Sequence, residues 1–176
     1  TLLSSMGASA VPAQIEGAQV SLKDLTVEYV DAPQGIDVEA PRFGWKMESN
    51  LVGAMQTAYQ IVITDEDGAV AYDSGKVESD ASVGVSQEAD LAPETDYTYT
   101  VTAWDNYGNA ASSTSTFSTG VDGWGDAQWI SPGETDYAVS MMRSPDVALQ
   151  NKEVKKAKLY MTSLGIFKAY INGETV

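Results

Sequence analysis

The most regular feature of the chain is an alternation of apolar and polar positions with a period of two residues. It is clearest in Asp96–Asp105, where Tyr97, Tyr99, Val101 and Ala103 alternate with Thr98, Thr100 and Thr102. A half-buried antiparallel strand shows this alternation, because successive side chains point to opposite faces of a sheet. No stretch carries a convincing helical period. The pattern therefore predicts an all-β protein.

Turn-forming residues recur about every ten residues and divide the first part of the chain into short segments. Seven strands are predicted, near Leu22–Val30, Arg42–Met47, Ala58–Thr64, Ala69–Asp73, Ala81–Val85, Asp96–Asp105 and Thr114–Thr119. Asp67-Gly68 is the strongest hairpin signal among the turns. This number and spacing of strands are typical of a β-sandwich.

Large side chains on two of these strands are candidates for the core. Trp45 and Tyr59 are the natural fillers between opposing strands. Gly44, inside a strand pattern, indicates a β-bulge or a close backbone approach. Arg42, one of only two arginines, is expected to form an ion pair with a carboxylate of the same domain, since its guanidinium suits bidentate pairing.

Residues 120–133 hold four glycines and one proline with little periodicity, so they are predicted to link two domains. The linker contains Trp124 and Trp129, whose indoles favour packing between the domains. Within residues 134–176, strands are predicted at Lys156–Thr162 and Ile166–Ile171, followed by a type I′ turn at Asn172-Gly173. These strands are too few for a sandwich, so a second, incomplete β-domain is expected.

Residues 1–21 are interpreted as a leader. They begin with small, apolar, uncharged residues, and Ala8-Ser9-Ala10 has the pattern that signal peptidase accepts. Either the remnant of an export signal or a flexible leader explains this segment. No run of apolar residues is long enough to span a membrane.

Composition excludes several kinds of chemistry. The 176 residues contain no His and no Cys, so disulfides and Ser-His-Asp or Cys-His catalysis are impossible within the chain. Their absence also argues against a zinc site. The formal net charge of −15 repels phosphate backbones, so no nucleic-acid partner is expected. Neither a metal nor a cofactor is expected.

Charge is divided unevenly along the sequence. Residues 1–151 carry a net charge of −18 and residues 152–176 a net charge of +3, from five lysines and two glutamates. A solvated strand face explains the lysines. The alternative is a basic patch that docks on an acidic surface, such as that of the first domain.

Four aromatic residues are candidates for stacking on a sugar ring: Tyr72, Tyr107, Trp124 and Trp129. Pyranose faces pack on aromatic rings, but packing in the core or between domains explains the same residues. The acidic run Asp65-Glu66-Asp67-Gly68 could form half of a calcium loop, yet the further ligands and the distal Glu are missing, which favours a solvated hairpin turn. No pair of carboxylates is placed by the sequence across a cleft, so no catalytic residue is assigned.

One motif identifies the type of sandwich. The run Leu91-Ala92-Pro93-Glu94-Thr95-Asp96-Tyr97-Thr98-Tyr99 resembles a signature of fibronectin type III domains. Its Tyr97 is expected to form a tyrosine corner, with a buried ring and a hydroxyl bonded to nearby backbone. Residues 22–119 are therefore predicted to be a fibronectin type III or immunoglobulin-like sandwich.

A second resemblance covers nearly all of residues 22–176. It rests on a series of peptides in order: Leu25-Thr26-Val27-Glu28-Tyr29, Pro33-Gln34-Gly35-Ile36-Asp37, Pro41-Arg42-Phe43-Gly44-Trp45-Lys46, Gln56-Thr57-Ala58-Tyr59-Gln60-Ile61, Tyr72-Asp73-Ser74-Gly75-Lys76-Val77, Trp129-Ile130 and Ala169-Tyr170-Ile171-Asn172-Gly173. The series resembles the N-terminal region of bacterial α-L-rhamnosidases. The resemblance implies a fibronectin-like sandwich, then a jelly-roll-like β-domain and an (α/α)6 catalytic barrel. It also implies inverting hydrolysis by carboxylates of that barrel, none of which these residues include.

The resemblance leads to three functional hypotheses. The first is a non-catalytic N-terminal part of an exported α-L-rhamnosidase, which braces its own catalytic barrel or orients rhamnose-containing glycans. The second is a free-standing carbohydrate-binding or adhesion module, and the third is a spacer without a ligand. The hairpin near Val176 is expected to leave an unpaired strand edge, which predicts a dimer or higher assembly, or else a disordered tail beyond about residue 130.

Overall fold

The computed structural model of the chain describes residues 17–131, 133, 140–144, 153–154 and 156–176. The chain divides into two compact units, Thr1–Asp122 and Gly123–Val176. Most of the leader interpreted at residues 1–21, including Ala8-Ser9-Ala10, lies outside the described residues. Each unit is described by itself.

The first unit is a β-sandwich of two antiparallel sheets, as the pattern of residues predicted. Its strands are β1 (Val20–Val27), β2 (Arg42–Ser49), β3 (Gln56–Asp65), β4 (Val70–Asp73), β5 (Val77–Glu78), β6 (Val85–Ser86), β7 (Asp96–Asp105) and β8 (Ala110–Ser118). One sheet has the order β1-β2-β6. The other has the order β4-β3-β7-β8, and β5 also pairs with β3.

The strand predicted at Ala81–Val85 is wrong in its bounds, because only Val85–Ser86 pairs with β2. The residues before it run irregularly, although the Ser82 carbonyl still accepts the Trp45 N–H at 2.9 Å. The strand predicted at Leu22–Val30 ends instead at Val27, because Glu28 and Tyr29 adopt positive φ angles of 50° and 64° and form a two-residue turn.

Aromatic side chains from both sheets fill the space between them. The Phe43 ring lies 5.1 Å from Tyr99 and 6.1 Å from Phe117, in edge-to-face contacts. Trp45 and Tyr59 are both buried and pack edge to face at 5.4 Å, as expected of core fillers. Aromatic pairs with this geometry contribute beyond their buried area. The core thus ties β2 of one sheet to β3, β7 and β8 of the other.

A β-bulge interrupts the pairing of β1 with β2, between Lys23 and Thr26. Asp24 has a φ of 49° there. A Cβ atom at Gly44 on the opposite strand would lie 2.8 Å from the Thr26 hydroxyl oxygen. The close approach predicted at Gly44 is therefore confirmed, and the lack of a side chain is what permits it.

The expected tyrosine corner is present. Tyr97 is buried, and its hydroxyl oxygen accepts the Ala92 N–H at 2.8 Å. Thr119 continues the same arrangement, because its hydroxyl accepts the Thr95 N–H at 3.0 Å and donates to the Ala92 carbonyl at 2.7 Å. These bonds fix the segment that leads into β7 against the end of β8.

The second unit shows little regular structure within its described residues. It has one hairpin, β9 (Tyr170–Ile171) with β10 (Glu174–Thr175). Asn172 and Gly173 connect them with φ angles of 54° and 88°, which confirms the predicted type I′ turn. The strand predicted at Lys156–Thr162 is absent, and of Ile166–Ile171 only the last two residues form a strand. A two-stranded hairpin is marginal alone, because β pairing needs a buried face to stabilise it.

Candidate functional site

Tyr72 on β4 belongs to the sandwich and is only partly accessible. It pairs with Ile63 of β3 and packs against the core, and its hydroxyl donates to the Gln87 side-chain oxygen. Burial raises the pKa of the Tyr72 hydroxyl above its ordinary value. This ring is engaged in packing, which is the alternative that the sequence left open for it.

Tyr107 lies in the loop between β7 and β8. Its backbone N–H donates to the Asp105 carboxylate at 3.0 Å, and the same carboxylate accepts the Asn109 N–H at 2.7 Å. Its hydroxyl donates to the Val52 carbonyl at 2.8 Å. The buried Asp105 thus organises the loop, and Tyr107 connects it to the loop between β2 and β3.

Tyr72 and Tyr107 lie at opposite ends of the five-stranded sheet. Tyr72 pairs with Ile63, whereas Tyr107 follows the strand end at which Asp105 pairs with Gln56. Those two positions are seven residues apart along β3, which is about 23 Å at the rise of a strand. One sugar ring cannot contact both side chains.

Trp124 and Trp129 lie in the second unit, and both indoles are exposed, Trp124 by 49% and Trp129 by 68%. A turn separates them, in which the Ala127 N–H donates to the Trp124 carbonyl at 2.9 Å. Five residues apart and open to solvent, they are the two candidates whose rings are accessible to a ligand.

Arg42 forms the intradomain ion pair that its guanidinium predicted. Its Nε and Nη2 both donate to the Glu28 carboxylate, which also accepts the Arg42 backbone N–H at 2.7 Å. The Arg42 guanidinium holds the pKa of Glu28 below its usual range. The guanidinium also lies over the Tyr29 ring, 5.0 Å from its centre. This cluster holds the turn after β1 in place. Because the guanidinium is engaged within the domain, no ligand role is assigned to Arg42.

The outer face of the larger sheet carries paired hydroxyl groups on β7 and β8, which the sequence did not predict. Thr100 and Thr114 are joined through their hydroxyls at 3.0 Å, and Thr102 and Ser112 at 2.8 Å. Trp104 lies at one end of this face, with the Lys76 ammonium 5.1 Å from its ring centre. The alternation along β7 had indicated that these threonines face outward, but only the register shows their cross-strand partners.

The acidic run Asp65–Gly68 forms the hairpin turn between β3 and β4. The Asp65 carboxylate accepts the N–H groups of Asp67 and Ala69, at 3.0 and 2.8 Å. Within the residues that the structure describes, no group of three or more acidic side chains is arranged to hold a metal ion. No helix in the described part of the protein is long and apolar enough to cross a membrane.

The direction of the carboxyl pKa shifts indicates whether these groups could act as a general acid. In the described residues, Asp24, Glu28 and Asp73 all have pKa values below the usual range, held there by Lys46, Arg42 and Gln60 respectively. A general acid in glycoside hydrolysis needs a raised carboxyl pKa. These three side chains therefore do not fit the role of a proton donor.

The two packed sheets, the tyrosine corner and the bulged first strand define an immunoglobulin-like β-sandwich domain. The chain belongs to the family of Rha78A-like N-terminal immunoglobulin domains, whose family model matches residues 22–122. This match agrees with the resemblance to the N-terminal region of α-L-rhamnosidases.

Named relatives lead to the same assignment. An α-L-rhamnosidase of Streptomyces avermitilis is 40% identical over an alignment of 116 positions, which covers 60% of this chain and 11% of that protein. An α-L-rhamnosidase of Formosa agariphila is 30% identical over 177 aligned residues, covering 82% of this chain and 19% of the relative. The chain thus spans less than a fifth of the length of these curated relatives.

A solved structure also supports the fold. The crystal structure of the Streptomyces avermitilis α-L-rhamnosidase, complexed with L-rhamnose, superposes with a TM-score of 0.55 at 37% identity. The superposition covers 58% of this chain and 11% of that one. The covered share corresponds in size to the immunoglobulin-like unit.

Proposed function

We propose that this chain serves as the non-catalytic N-terminal accessory part of an α-L-rhamnosidase, an inverting glycoside hydrolase that acts on rhamnose-containing glycans. The observation that carries the proposal is the family match over residues 22–122 together with relatives of that name. The relatives are several times longer than the chain, which supports a partner domain within the same polypeptide. In this proposal that partner is a catalytic barrel, and the sandwich braces it.

The first test is an assay of the purified chain on an aryl α-L-rhamnoside. We expect no release of the aryl group above the rate in buffer. Release that scales with protein concentration and persists through a second purification would contradict the proposal, because it would place the catalytic carboxylates in this chain.

The bracing role is tested in an enzyme that carries this chain ahead of its catalytic part. We expect deletion of residues 17–122 to lower the melting temperature of the catalytic part, with little change in KM for the aryl rhamnoside. Gly53→Ala, a change confined to a loop with a φ of +76°, serves as a control that perturbs the sandwich without removing it. An unchanged melting temperature after the deletion would contradict bracing.

A second candidate function is favoured by the exposure of Trp124 and Trp129. In this proposal the protein is a carbohydrate-binding or adhesion module. We expect saturable binding to a rhamnose-containing polysaccharide that Trp124→Ala or Trp129→Ala abolishes, and that Tyr107→Phe leaves unchanged. Binding that survives both tryptophan substitutions would exclude these indoles as the site.

Export and assembly are further parts of the proposal. Export to the periplasm, outer surface or exterior of a bacterium is supported by the small-residue pattern at Ala8-Ser9-Ala10, and N-terminal sequencing of secreted material tests it. Assembly into a dimer is supported by the short β9–β10 hairpin, whose two strands pair only with each other among the described residues. Light scattering that gives the mass of one chain would contradict the dimer.

A further inference from the structure

The turn at Asn172-Gly173 combines a reactive sequence with weak structural protection. Both residues are exposed, and the turn closes a short hairpin with two residue pairs, Ile171 with Glu174 and Tyr170 with Thr175. One further backbone bond, from the Val176 N–H to the Ala169 carbonyl at 3.1 Å, extends the hairpin. No residue of the hairpin is buried. Opening such a hairpin exposes little apolar surface, so its free energy of opening is small.

The other asparagines in the described part of the protein are held by hydrogen bonds. The Asn50 side chain accepts the Gln19 N–H at 2.8 Å and donates to the Gly17 carbonyl at 3.1 Å. The Asn106 side chain accepts the Met55 N–H at 2.9 Å. Buried Asn109 donates its amide to the Asp105 carboxylate at 2.9 Å.

Asn172 also differs from the other asparagines in the residue that follows it. Of the five asparagines in the sequence, only Asn172 is followed by glycine. Attack by the next backbone nitrogen on an asparagine amide is hindered by a side chain on that next residue, and glycine has none. Asn50, Asn106 and Asn109 precede leucine, tyrosine and alanine, which each present such a side chain.

We propose that Asn172 is a site of spontaneous deamidation and isoaspartate formation in this protein. The Gly173 nitrogen attacks the carbonyl carbon (Cγ) of the Asn172 amide, and the new bond closes a succinimide ring. The bond from Cγ to the amide nitrogen Nδ2 then breaks and releases ammonia. Water opens the ring at either carbonyl. One opening gives aspartate and the other gives isoaspartate, so the balance is one water consumed and one ammonia released.

The modification changes the hairpin in two ways. Each product adds one negative charge at the tip of the turn. Isoaspartate also routes the main chain through the former side chain, which adds a methylene to the backbone and disrupts the register of Ile171 with Glu174. A type I′ turn depends on both of its residues having positive φ, and the longer backbone cannot keep that geometry.

The test is peptide mapping by mass spectrometry after incubation of the whole protein in mildly alkaline buffer. We expect the peptide containing Asn172 to gain the mass difference of an amide-to-acid conversion, while the peptides containing Asn50, Asn106 and Asn109 keep their amides. Labelling by an isoaspartyl methyltransferase is expected on the Asn172 peptide. Gly173→Ala is expected to slow the conversion by roughly an order of magnitude, because the methyl group hinders the attack.

Two results would overturn the proposal. Conversion of Asn106 or Asn109 as fast as Asn172 would show that neither the glycine nor the weak hairpin sets the site. Conversion of Asn172 to aspartate alone, without any methyltransferase label, would exclude the succinimide route. Freshly purified Asn172→Asp supplies the control for the added charge, since its backbone is unaltered until the aspartyl-glycyl sequence itself cyclises.

Discussion

The two units of the protein carry the same kinds of β-forming residues, but they differ in what those residues contact. In the first unit Phe43, Tyr99 and Phe117 are almost completely buried among one another. In the second unit Phe167 is 50% exposed, and no described residue is buried. Burial of apolar surface is the main source of stability in a fold. The comparison teaches that strand-like sequence becomes a stable sheet only when a second layer covers one face.

The largest expected effect is a difference in stability loss when one phenylalanine is truncated in each unit. We expect Phe43→Ala to lower the free energy of unfolding by about 3–5 kcal/mol, because it leaves a cavity beside Tyr99 and Phe117. Phe167→Ala is expected to change it by about 0.5 kcal/mol or less, as for an exposed position. Urea denaturation followed by circular dichroism measures both. Equal losses would show that the second unit has a core of its own.

Alkaline titration of Tyr99 gives the next effect. Burial raises the pKa of Tyr99 to about 12, from an ordinary value of 10.0. Because the folded state favours the neutral hydroxyl, the raised pKa makes a pH-dependent contribution to the free energy of unfolding. That contribution is fully present below pH 10 and is lost as the pH rises toward 12. The loss should reach about 2–3 kcal/mol, at about 1.4 kcal/mol per pH unit.

The matched variants are Tyr99→Phe and Tyr170→Phe, with stability followed against pH. The Tyr99→Phe variant should lack the fall in the free energy of unfolding between pH 10 and 12 that is due to Tyr99. The Tyr170→Phe variant, changed on the exposed hairpin, should still show that fall. If the wild type and Tyr99→Phe lose stability equally above pH 10, the buried Tyr99 hydroxyl is not the source of the loss.

The tyrosine corner tests how much one buried hydrogen bond contributes to the first unit. Tyr97→Phe leaves the Ala92 N–H without its acceptor, and we expect a loss of about 1–3 kcal/mol. Tyr107→Phe removes a hydroxyl bond to the Val52 carbonyl, which water can replace because Val52 is exposed. Thermal melts should therefore show a smaller shift for Tyr107→Phe. A larger shift for Tyr107→Phe would contradict this ranking.

The smallest effect concerns the surface pair of Arg42 and Glu28. Arg42 holds the pKa of Glu28 below its usual value of 4.5. The ionised pair therefore stabilises the fold above that value, and its contribution is lost as the pH falls through the lowered pKa. We expect Glu28→Gln to be less stable than the wild type at neutral pH, with the difference shrinking in acid. A difference that is constant with pH would assign the effect to packing of the turn.

Most of the first unit could be predicted from local patterns. The alternation in β7, the turn at Asp67-Gly68 and the tyrosine-corner motif each depend on residues close together in the sequence. The end of the first strand could not, because the turn at Glu28-Tyr29 uses residues that do not ordinarily favour positive φ. Arg42 and its hydrogen bonds compensate for that turn, and they come from a different strand.

The candidate site was harder to predict than the fold. Four aromatic residues are equivalent in the sequence, but Tyr72 and Tyr107 lie at opposite ends of a sheet and both use their hydroxyls within the sandwich. Trp124 and Trp129 remain accessible. Separation of packed from exposed rings requires the positions of residues distant in sequence, such as Gln87 and Val52.

The sequence by itself determined the all-β class, the absence of histidine and cysteine chemistry, the tyrosine corner and the type I′ turn at Asn172-Gly173. Each depends on composition or on residues a few positions apart. Only the tertiary structure decided the register of the sheets, the partner of Arg42 and the absence of strand structure at residues 156–162. These depend on contacts between distant segments, which a strand needs in order to bury its apolar face.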